Sequence, residues 1–377
     1  MILRPTHSVP QTFQSIQALR AVAALLVTFF HLFMVTEQVD IHLPLLRCFK
    51  AGFGGVDLFF IISGFIITHT NFSKINRPEQ FLPYLKKRLG RIYAIYWPVV
   101  ILAGIALIGI RQVAPSLQWL PYSFDPVDLL KTLTLIPAHD SPLPVTWSLS
   151  FELYFYGLFG LVIISRTLLI LPAFVLAATL YTSLVNWAGI PHFGWLQYFL
   201  FSPFNLEFGL GIVAYWLVRR YSFRIPPIVL GVALFIFLLT GEFVKPSDAW
   251  LRVWGFGVPT TILLLSVVQR EIAGRTFCPA WLLKQGDASY ILYLIHVPAF
   301  MVMTHALLML HLVPYVLPAN LLLVGLLCWA SWQLHQHAEK PILRWLQNRL
   351  SGPTTAQYSP DKRYRLQVPA SQPQPAS

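Results

Sequence analysis

An arginine and a histidine share one face of a predicted membrane-length helix near the start of the chain. The stretch from Gln14 to Val35 is apolar, and Arg20 and His31 lie eleven positions apart in it. On an α-helix this spacing is about three turns, or roughly 16 Å, so both side chains project from the same side. Ionisable groups inside a membrane usually face a bundle interior or a water-filled cavity. The pair therefore predicts one wall of a polar site; the alternative is that Arg20 snorkels to the headgroups and His31 lies at the opposite interface.

Two carboxylates occur in other apolar stretches. Asp57 begins DLFFIISGFIIT, and we expect it at a depth similar to that of His31. There it would orient the imidazole, as carboxylates do for catalytic histidines; the alternative is a carboxylate at the positive end of a helix. Glu152 follows Ser148 by four residues in WSLSFELYFY, so the two share a helix face. More than a turn below the interfacial Trp147, Glu152 marks either a functional site or a structural pair between helices.

Two arginines lie at the entry to a third apolar stretch. Arg88 and Arg91 are three positions apart in LKKRLGRIYAIYW and so lie on one helix face. Charge that sets membrane topology is one explanation. Binding of an anionic ligand is the other, because the arginine fork suits phosphate groups.

Four further ionisable residues have simpler interpretations. Glu207 and His296 are single ionisable groups within apolar runs, and for both we favour a hydrogen-bonded packing role. His335 and His337 are two positions apart, which points them in nearly opposite directions on a helix. We therefore expect no histidine metal site there, and no metal cofactor.

Composition places the chain among membrane proteins. It is 56% hydrophobic and 11% charged, with a mean hydropathy of +0.62, far more apolar than a soluble domain. The net charge of +12 comes from Lys and Arg in short loops between apolar segments, so we expect membrane lipids and no nucleic acid as partners. Three cysteines, Cys48, Cys278 and Cys328, show no CxxC spacing and indicate neither a disulfide framework nor a zinc site.

The hydropathy pattern predicts an all-α polytopic protein with about ten transmembrane helices. The spans are expected at 14–35, 52–70, 89–110, 147–165, 167–186, 198–218, 225–241, 250–268, 287–310 and 317–337. Placing both termini in the cytoplasm puts most of the 27 Lys and Arg residues on the inner side, as the positive-inside rule requires. No small-residue cleavage signal follows the first span, so we expect it to be retained.

The pattern also predicts the domain organisation. We expect a short cytoplasmic N-terminus over 1–13, one membrane domain over 14–345, and a disordered cytoplasmic tail over 346–377 that is rich in Pro, Ser and Gln. The outer stretch from Arg111 to Thr146 carries six prolines and is long enough to serve as a lid.

Absent motifs narrow the chemistry. The sequence has no GxxxxGK[ST] loop, no HExxH and no GxSxG, which argues against ATP hydrolysis, zinc proteolysis and serine hydrolysis of the common kinds. A transporter or flippase for polysaccharide or lipid-linked sugar stays open, because intramembrane ionisable residues also mark transport paths. Paired broken helices, which many transporters show in two halves, are not evident.

Seven motifs in order resemble the acyltransferase 3 family of bacterial membrane acyltransferases. They are Arg20-x10-His31, DLFFIISGFIIT at 57–68, Arg88-x-x-Arg91, WSLSFELYFY at 147–156, NLEFGLG at 205–211, SYILYLIHVP at 289–298 and Glu339-Lys-Pro341. The resemblance covers roughly residues 14–345. One departure is Phe151-Glu152-Leu153, where many members carry Val-Glu-Trp or a similar triplet.

The resemblance implies an acyl-CoA-dependent O-acyltransferase in the bacterial inner membrane. Members transfer an acyl group, often acetyl from acetyl-CoA, to a sugar hydroxyl of a glycan such as exopolysaccharide or O-antigen. His31 matches the essential histidine of the family, and Arg20, Arg88 and Arg91 match its arginines. We accordingly expect the three arginines to bind the CoA phosphates, and His31 to act as a general base oriented by Asp57 or Glu152; an acyl-histidine intermediate is the alternative.

Overall fold

The chain is almost entirely helical. The computed structural model describes residues 2–3, 12–41, 44–113, 122, 124–137, 141–187, 194–275 and 278–350. The predicted disordered stretch over 351–377 lies outside the described residues, and so do parts of the predicted lid.

Fifteen α-helices succeed one another in these described ranges. They are α1 (Gln14–Gln38), α2 (Gly54–Asn71), α3 (Phe81–Val113), α4 (Pro126–Thr134), α5 (Trp147–Ile164), α6 (Ile170–Trp187), α7 (Trp195–Leu200), α8 (Phe204–Arg220), α9 (Pro227–Phe243), α10 (Ala249–Arg252), α11 (Val258–Ile272), α12 (Ala280–Asp287), α13 (Ser289–Met309), α14 (Val316–Leu334) and α15 (Lys340–Leu350).

Shorter elements join them. The 3₁₀ helices are Pro44–Phe53, Phe72–Lys74, Pro78–Gln80, Pro144–Thr146, Arg166–Leu169 and Val313–Tyr315, and the π-helical turns are Val253–Gly257 and His335–Glu339. Two short antiparallel strands, β1 (Ile2–Leu3) and β2 (Tyr221–Ser222), pair with each other.

The helix lengths confirm the polytopic fold class. Within the described residues nine helical segments are long and apolar enough to cross a membrane, and α9 is a shorter apolar helix. Each of the ten predicted spans coincides with one of these segments. The cytoplasmic placement of the termini stays a prediction.

The second span begins as a 3₁₀ helix, and α2 therefore starts deep in the protein. The 3₁₀ helix Pro44–Phe53 leads directly into α2. Gly52 packs on the backbone of Leu26, and Gly55 packs on the backbone of Ala23. The start of α2 thus lies beside the middle of α1 and not beside its C-terminal end.

A close backbone contact joins α2 to α8. Gly64 lies against the backbone at Phe208 and Gly211, where an added Cβ would meet the carbonyl oxygen of Phe208. Small residues let two helices in a membrane approach closely enough for extensive van der Waals contact. This contact fixes α2, which forms one wall of the site described below.

Aromatic rings tie α2, α5 and α8 together. The Phe60 ring lies 6.0 Å from that of Phe151, 5.6 Å from that of Phe155 and 5.3 Å from that of Phe204, measured between centroids. These edge-to-face and tilted arrangements are the favourable ones for aromatic pairs. The cluster holds the three helices at a fixed separation.

The segment from Arg111 to Thr146, predicted as a lid, contains α4. The Tyr96 hydroxyl of α3 donates a hydrogen bond to the Thr132 carbonyl over 2.7 Å. The Ser150 hydroxyl of α5 donates to the Leu135 carbonyl over 2.8 Å. The end of α4 is therefore fastened to two membrane helices.

The last helix passes the predicted end of the membrane domain. α15 continues to Leu350, so residues 346–350 are helical and the disordered tail does not begin at 346. Gly90 of α3 lies next to the Leu346 side chain, which shows that α15 packs against α3.

Candidate active site

A cavity of about 350 Å³ lies among α1, α2, α3, α5 and α13. Its wall includes Thr12 and Gln14 at the start of α1, and Ser148 and Tyr293 further inside. The cavity thus extends from the start of α1 into the helix bundle.

Four of the six predicted site residues meet in this cavity. Arg20, Arg88, Arg91 and Glu152 all line it. They come from α1, α3 and α5. Arg20 and Glu152 were expected to face an internal site, and Arg88 and Arg91 were expected at the entry to the third span. His31 is not among the described residues that line the cavity.

A chain of side chains positions Arg20. Its Nη1 donates to Gln17 Oε1 over 3.2 Å, and Gln17 Nε2 donates to Asp287 Oδ1 over 2.5 Å. Asp287 ends α12 and also lines the cavity. The guanidinium is thereby directed into the cavity by contacts from a second helix.

The start of α1 is held by a carboxylate from α11. The Glu271 side chain accepts hydrogen bonds from Gln14 N over 2.7 Å and from Ser15 N over 2.8 Å, and it also accepts one from the Ser15 hydroxyl. A carboxylate at this point satisfies free backbone N–H groups and complements the helix dipole. The sequence analysis did not identify Glu271, because its partner is 256 residues away.

Arg88 is held by neutral groups. Its Nη2 donates to Thr70 Oγ1 over 3.0 Å, and its guanidinium carbon lies 5.3 Å from the Tyr156 ring centroid and 5.9 Å from that of Tyr84. The Tyr156 hydroxyl in turn donates to the Glu152 carboxylate. Glu152 thus helps to position the ring on which Arg88 lies.

Two hydroxyl groups lie together deep in the cavity. Ser148 Oγ and the Tyr293 hydroxyl are 2.7 Å apart, and Tyr293 donates to the Val145 carbonyl over 3.0 Å. Both residues line the cavity. They offer hydrogen-bonding groups to a polar atom of a bound molecule.

Aromatic side chains lead from this point to His31. The Tyr293 ring centroid is 5.9 Å from that of His296, which is 4.9 Å from that of His31. His296 is buried and bonds the Leu292 carbonyl through Nδ1, and its Nε2 also lies 3.2 Å from His31 Nδ1. Sequence spacing gave no signal for this contact, since 265 positions separate the two residues.

The structure corrects the prediction that Asp57 orients His31. Asp57 binds Arg252 through two hydrogen bonds, Nη2 to Oδ2 at 2.6 Å and Nε to Oδ1 at 3.2 Å. Gly55 packs on Ala23, and His31 is eight residues further along α1, about 12 Å on an α-helix. Because α2 begins so deep, Asp57 lies well away from the depth of His31.

Arg252 lies near the start of the predicted span 250–268, and its partner is the Asp57 carboxylate of α2. Its side chain is 2% exposed and its guanidinium carbon lies 4.9 Å from the Phe204 ring centroid. Glu207 is fully buried beside the Asp57–Arg252 pair. Neither Glu207 carboxylate oxygen has a hydrogen-bond donor among the described residues.

No group of three His, Cys, Asp or Glu side chains suited to a metal ion occurs in the described part of the chain.

Comparison with known proteins gives one family. Residues 13–332 match the family model described as an acyltransferase domain, Acyl_transf_3. The exopolysaccharide production protein ExoZ of Rhizobium meliloti (strain 1021) is 29% identical over 331 residues, which cover 83% of this chain and 94% of ExoZ.

A second similar protein is longer than this chain. The O-acetyltransferase OatA of Staphylococcus aureus (strain NCTC 8325 / PS 47) is 24% identical over 327 residues, which cover 75% of this chain and 52% of OatA. The match therefore spans about half of OatA. No solved structure matches the chain significantly.

Proposed function

The chain belongs to the acyltransferase 3 family, and on that premise we propose that it transfers an acyl group from acyl-CoA to a glycan hydroxyl. It is a multi-pass membrane acyltransferase. Acetyl is our first candidate for the acyl group, and a membrane-associated or extracytoplasmic polysaccharide is our candidate acceptor. The similarity to a protein named for exopolysaccharide production and to an O-acetyltransferase supports this choice.

One observation carries the proposal: Arg20, Arg88 and Arg91 converge on a single cavity. Arginine forks suit phosphate groups, and CoA carries several phosphates. A cavity of about 350 Å³ is at the small end of ligand sites. We therefore place the acyl-pantetheine arm inside the cavity and the nucleotide at its mouth.

The inner end of the cavity is the place for the thioester. The hydroxyl hydrogens of Ser148 and Tyr293 point to the Val145 carbonyl. On donor binding one of them would turn toward the thioester carbonyl oxygen, on which negative charge develops in the transition state. The acceptor hydroxyl would approach from the side of His31. Ring contacts run from Tyr293 of the cavity wall to His296 and from His296 to His31. We therefore place the meeting point of the two substrates beside Tyr293, on the side that faces His31.

The reaction is a direct transfer with His31 as general base. The acceptor oxygen attacks the thioester carbonyl carbon while its proton passes to the His31 imidazole. The carbon–sulfur bond then breaks, and the CoA thiolate takes the proton from the imidazolium. The products are the O-acyl glycan and free CoA. General-base help of this kind contributes about 10² to 10⁴-fold to the rate.

Glu152 and Asp57 have different roles in this proposal. Glu152 acts from within the cavity by holding Tyr156 against Arg88. Asp57 maintains the site wall through its ion pair with Arg252 and does not orient His31.

We place the protein in the bacterial inner membrane with both termini in the cytoplasm. In this orientation the cavity opens at the start of α1, on the side where acyl-CoA is available. The acceptor glycan would approach from the opposite side.

Mass spectrometry of the cell polysaccharide tests the proposal. Cells carrying the wild-type gene, a deletion, His31→Ala or Arg88→Ala would be compared. We expect an O-acyl mass increment in the wild type that is lost in the deletion and in His31→Ala. Polysaccharide retained inside the cell with unchanged acylation would instead establish the transporter alternative.

Donor binding is measured separately with the purified protein in detergent. CoA should raise the thermal unfolding temperature of the wild type and of His31→Ala, and should raise that of Arg88→Ala less. A protein that CoA does not protect would contradict the assignment of the donor site.

A further inference from the structure

We propose that His296 is a positioning residue that holds His31 in the tautomer with its proton on Nδ1, leaving Nε2 free to act as the base. The inference rests on the proposed function, in which His31 is the general base. It goes further by assigning a role to His296 and a protonated nitrogen to each ring.

The first step concerns the His296 ring. Its Nδ1 lies 3.0 Å from the Leu292 carbonyl oxygen. A carbonyl oxygen only accepts hydrogen bonds, so the proton of the neutral ring lies on Nδ1. His296 Nε2 consequently carries a lone pair.

The second step concerns the His31 ring. Its Nδ1 faces two groups, the Val27 carbonyl oxygen at 2.9 Å and His296 Nε2 at 3.2 Å. Both groups are acceptors, because the His296 proton lies on its Nδ1 and its Nε2 carries a lone pair. His31 Nδ1 therefore carries a proton that the two acceptors share, and His31 Nε2 is left with the lone pair.

The same contacts disfavour the alternative in which His296 Nε2 carries a proton and donates it to His31 Nδ1. If His296 Nε2 donated to His31 Nδ1, then the His31 lone pair would face the Val27 carbonyl at 2.9 Å. The neutral His296 ring would also turn a lone pair toward the Leu292 carbonyl at 3.0 Å. The contacts of the two Nδ1 atoms with the Val27 and Leu292 carbonyls would then be repulsive and would no longer be hydrogen bonds.

The surroundings of His296 keep this arrangement in place. The residue is fully buried, with the Tyr293 ring 5.9 Å and the Phe300 ring 6.4 Å from its own ring, measured between centroids. Packed aromatic neighbours limit rotation of the imidazole, so its Nε2 stays directed at His31.

This arrangement serves both halves of the reaction. When His31 Nε2 takes the proton of the acceptor hydroxyl, the ring becomes an imidazolium whose Nδ1–H keeps both acceptors. When the thiolate takes that proton, His31 returns to the same tautomer. His296 itself gains and loses no proton. Its role corresponds to that of the carboxylate in a Ser-His-Asp triad, but it is performed by a neutral ring.

Nitrogen NMR of the ¹⁵N-histidine-labelled protein in nanodiscs tests the tautomer without any substrate. The His31 signals are identified by their loss in His31→Gln. We expect a protonated Nδ1 and an unprotonated Nε2 for His31 in the wild type. A wild-type His31 with its proton on Nε2 would overturn the inference.

Kinetics of two His296 variants test the role. His296→Phe removes the acceptor, whereas His296→Gln retains an amide oxygen that can accept from His31 Nδ1. We expect His296→Phe to lower kcat by about 10²-fold, the cost of misplacing a catalytic group, because the Val27 carbonyl alone then holds His31 Nδ1. The KM for acyl-CoA should change little, and His296→Gln should recover part of the loss. Unchanged kcat in His296→Phe would refute the role.

The matched control is His305→Gln. His305 lies on the same helix, is also buried, and places its Nδ1 2.6 Å from the Met301 carbonyl. We expect it to keep wild-type kcat. If His31→Ala retains activity, then the proposed function fails. If His31→Ala is inactive while the His296 variants keep the wild-type kcat, then the inference about His296 fails and the proposed function stands.

Discussion

Asp57 and Arg252 form a buried bidentate ion pair between α2 and α10, with Arg252 Nη2 2.6 Å from Asp57 Oδ2. The side chains are 0% and 2% exposed, and 195 positions separate them in the sequence. The pair connects the wall of the cavity to α10, a four-residue helix that follows the polar stretch after α9.

Asp57→Ala should destabilise the protein by about 3–5 kcal/mol, because it leaves the Arg252 guanidinium buried without its counter-charge. Thermal unfolding of the purified protein in detergent measures the change. Glu207→Gln is the matched control. It removes the charge of the Glu207 carboxylate, which lies beside the Arg252 guanidinium, and leaves the Asp57–Arg252 pair intact. Equal losses in the two variants would contradict the assignment of the ion pair.

Arg88→Ala should raise the KM for acyl-CoA by about 10- to 100-fold, the effect of losing one hydrogen bond between charged groups. Its effect on kcat should be smaller, because the contact is to a part of the donor that does not react. Initial rates at varied acyl-CoA measure both constants.

Arg219→Ala provides the comparison for Arg88→Ala. Arg219 also lies over an aromatic ring, with its guanidinium carbon 4.4 Å from the Phe72 centroid, but it is not among the described residues that line the cavity. Its KM should match that of the wild type. A similar rise in the KM for acyl-CoA in both variants would indicate that the loss of any positive charge weakens donor binding.

Gly64→Ala should destabilise the protein by about 1–3 kcal/mol, the usual cost of overpacking. The added Cβ would meet the backbone carbonyl of Phe208, which cannot move without displacing α8. Gly157→Ala is the control within a neighbouring helix, because a Cβ there meets no atom within 4 Å. Thermal unfolding should separate the two variants, and a stable Gly64→Ala would argue against the close contact of α2 and α8.

Cysteine labelling tests the orientation in the membrane. Cys48 is exposed between α1 and α2, and Cys278 lies half-buried between α11 and α12. In sealed right-side-out vesicles an impermeant maleimide should label Cys48 and should reach Cys278 only after permeabilisation. Labelling in the reverse order would place the termini outside.

The Cys278 reaction should also depend on pH. Burial raises the pKa of its thiol, and the nearby Glu271 charge raises it further. Because the thiolate is the reactive form, labelling of Cys278 in permeabilised vesicles should be slow at neutral pH and faster at alkaline pH. Cys278→Ser identifies its signal.

The spans and most of the charged residues that line the cavity could be predicted from the sequence. An arginine or a glutamate within an apolar helix has few stable positions other than the bundle interior. For this reason Arg20 and Glu152 could be assigned to an internal site before their neighbours were known. Arg88 and Arg91 were predicted at the entry to the third span, where the arginine fork suits an anionic ligand.

The partners of these residues could not be predicted. Arg252 follows the polar stretch KPSD and has the appearance of a loop residue, while its carboxylate lies in α2. The depth of Asp57 depends on the 3₁₀ helix Pro44–Phe53, whose hydropathy does not distinguish it from the outer half of an α-helix. The contact of His31 with His296 depends on how α1 and α13 pack, which no local pattern encodes.

α1 is unbroken from Gln14 to Gln38, so the distances between residues along it are fixed. Arg20 and His31 lie on this one helix, so their separation of about 16 Å along its axis stays the same whatever donor binds. In the proposed reaction, an acyl-CoA analogue with a shortened pantetheine arm could not place its phosphates at Arg20 and its thioester near His31 at the same time. A single helix would thus set the length of arm that the donor needs.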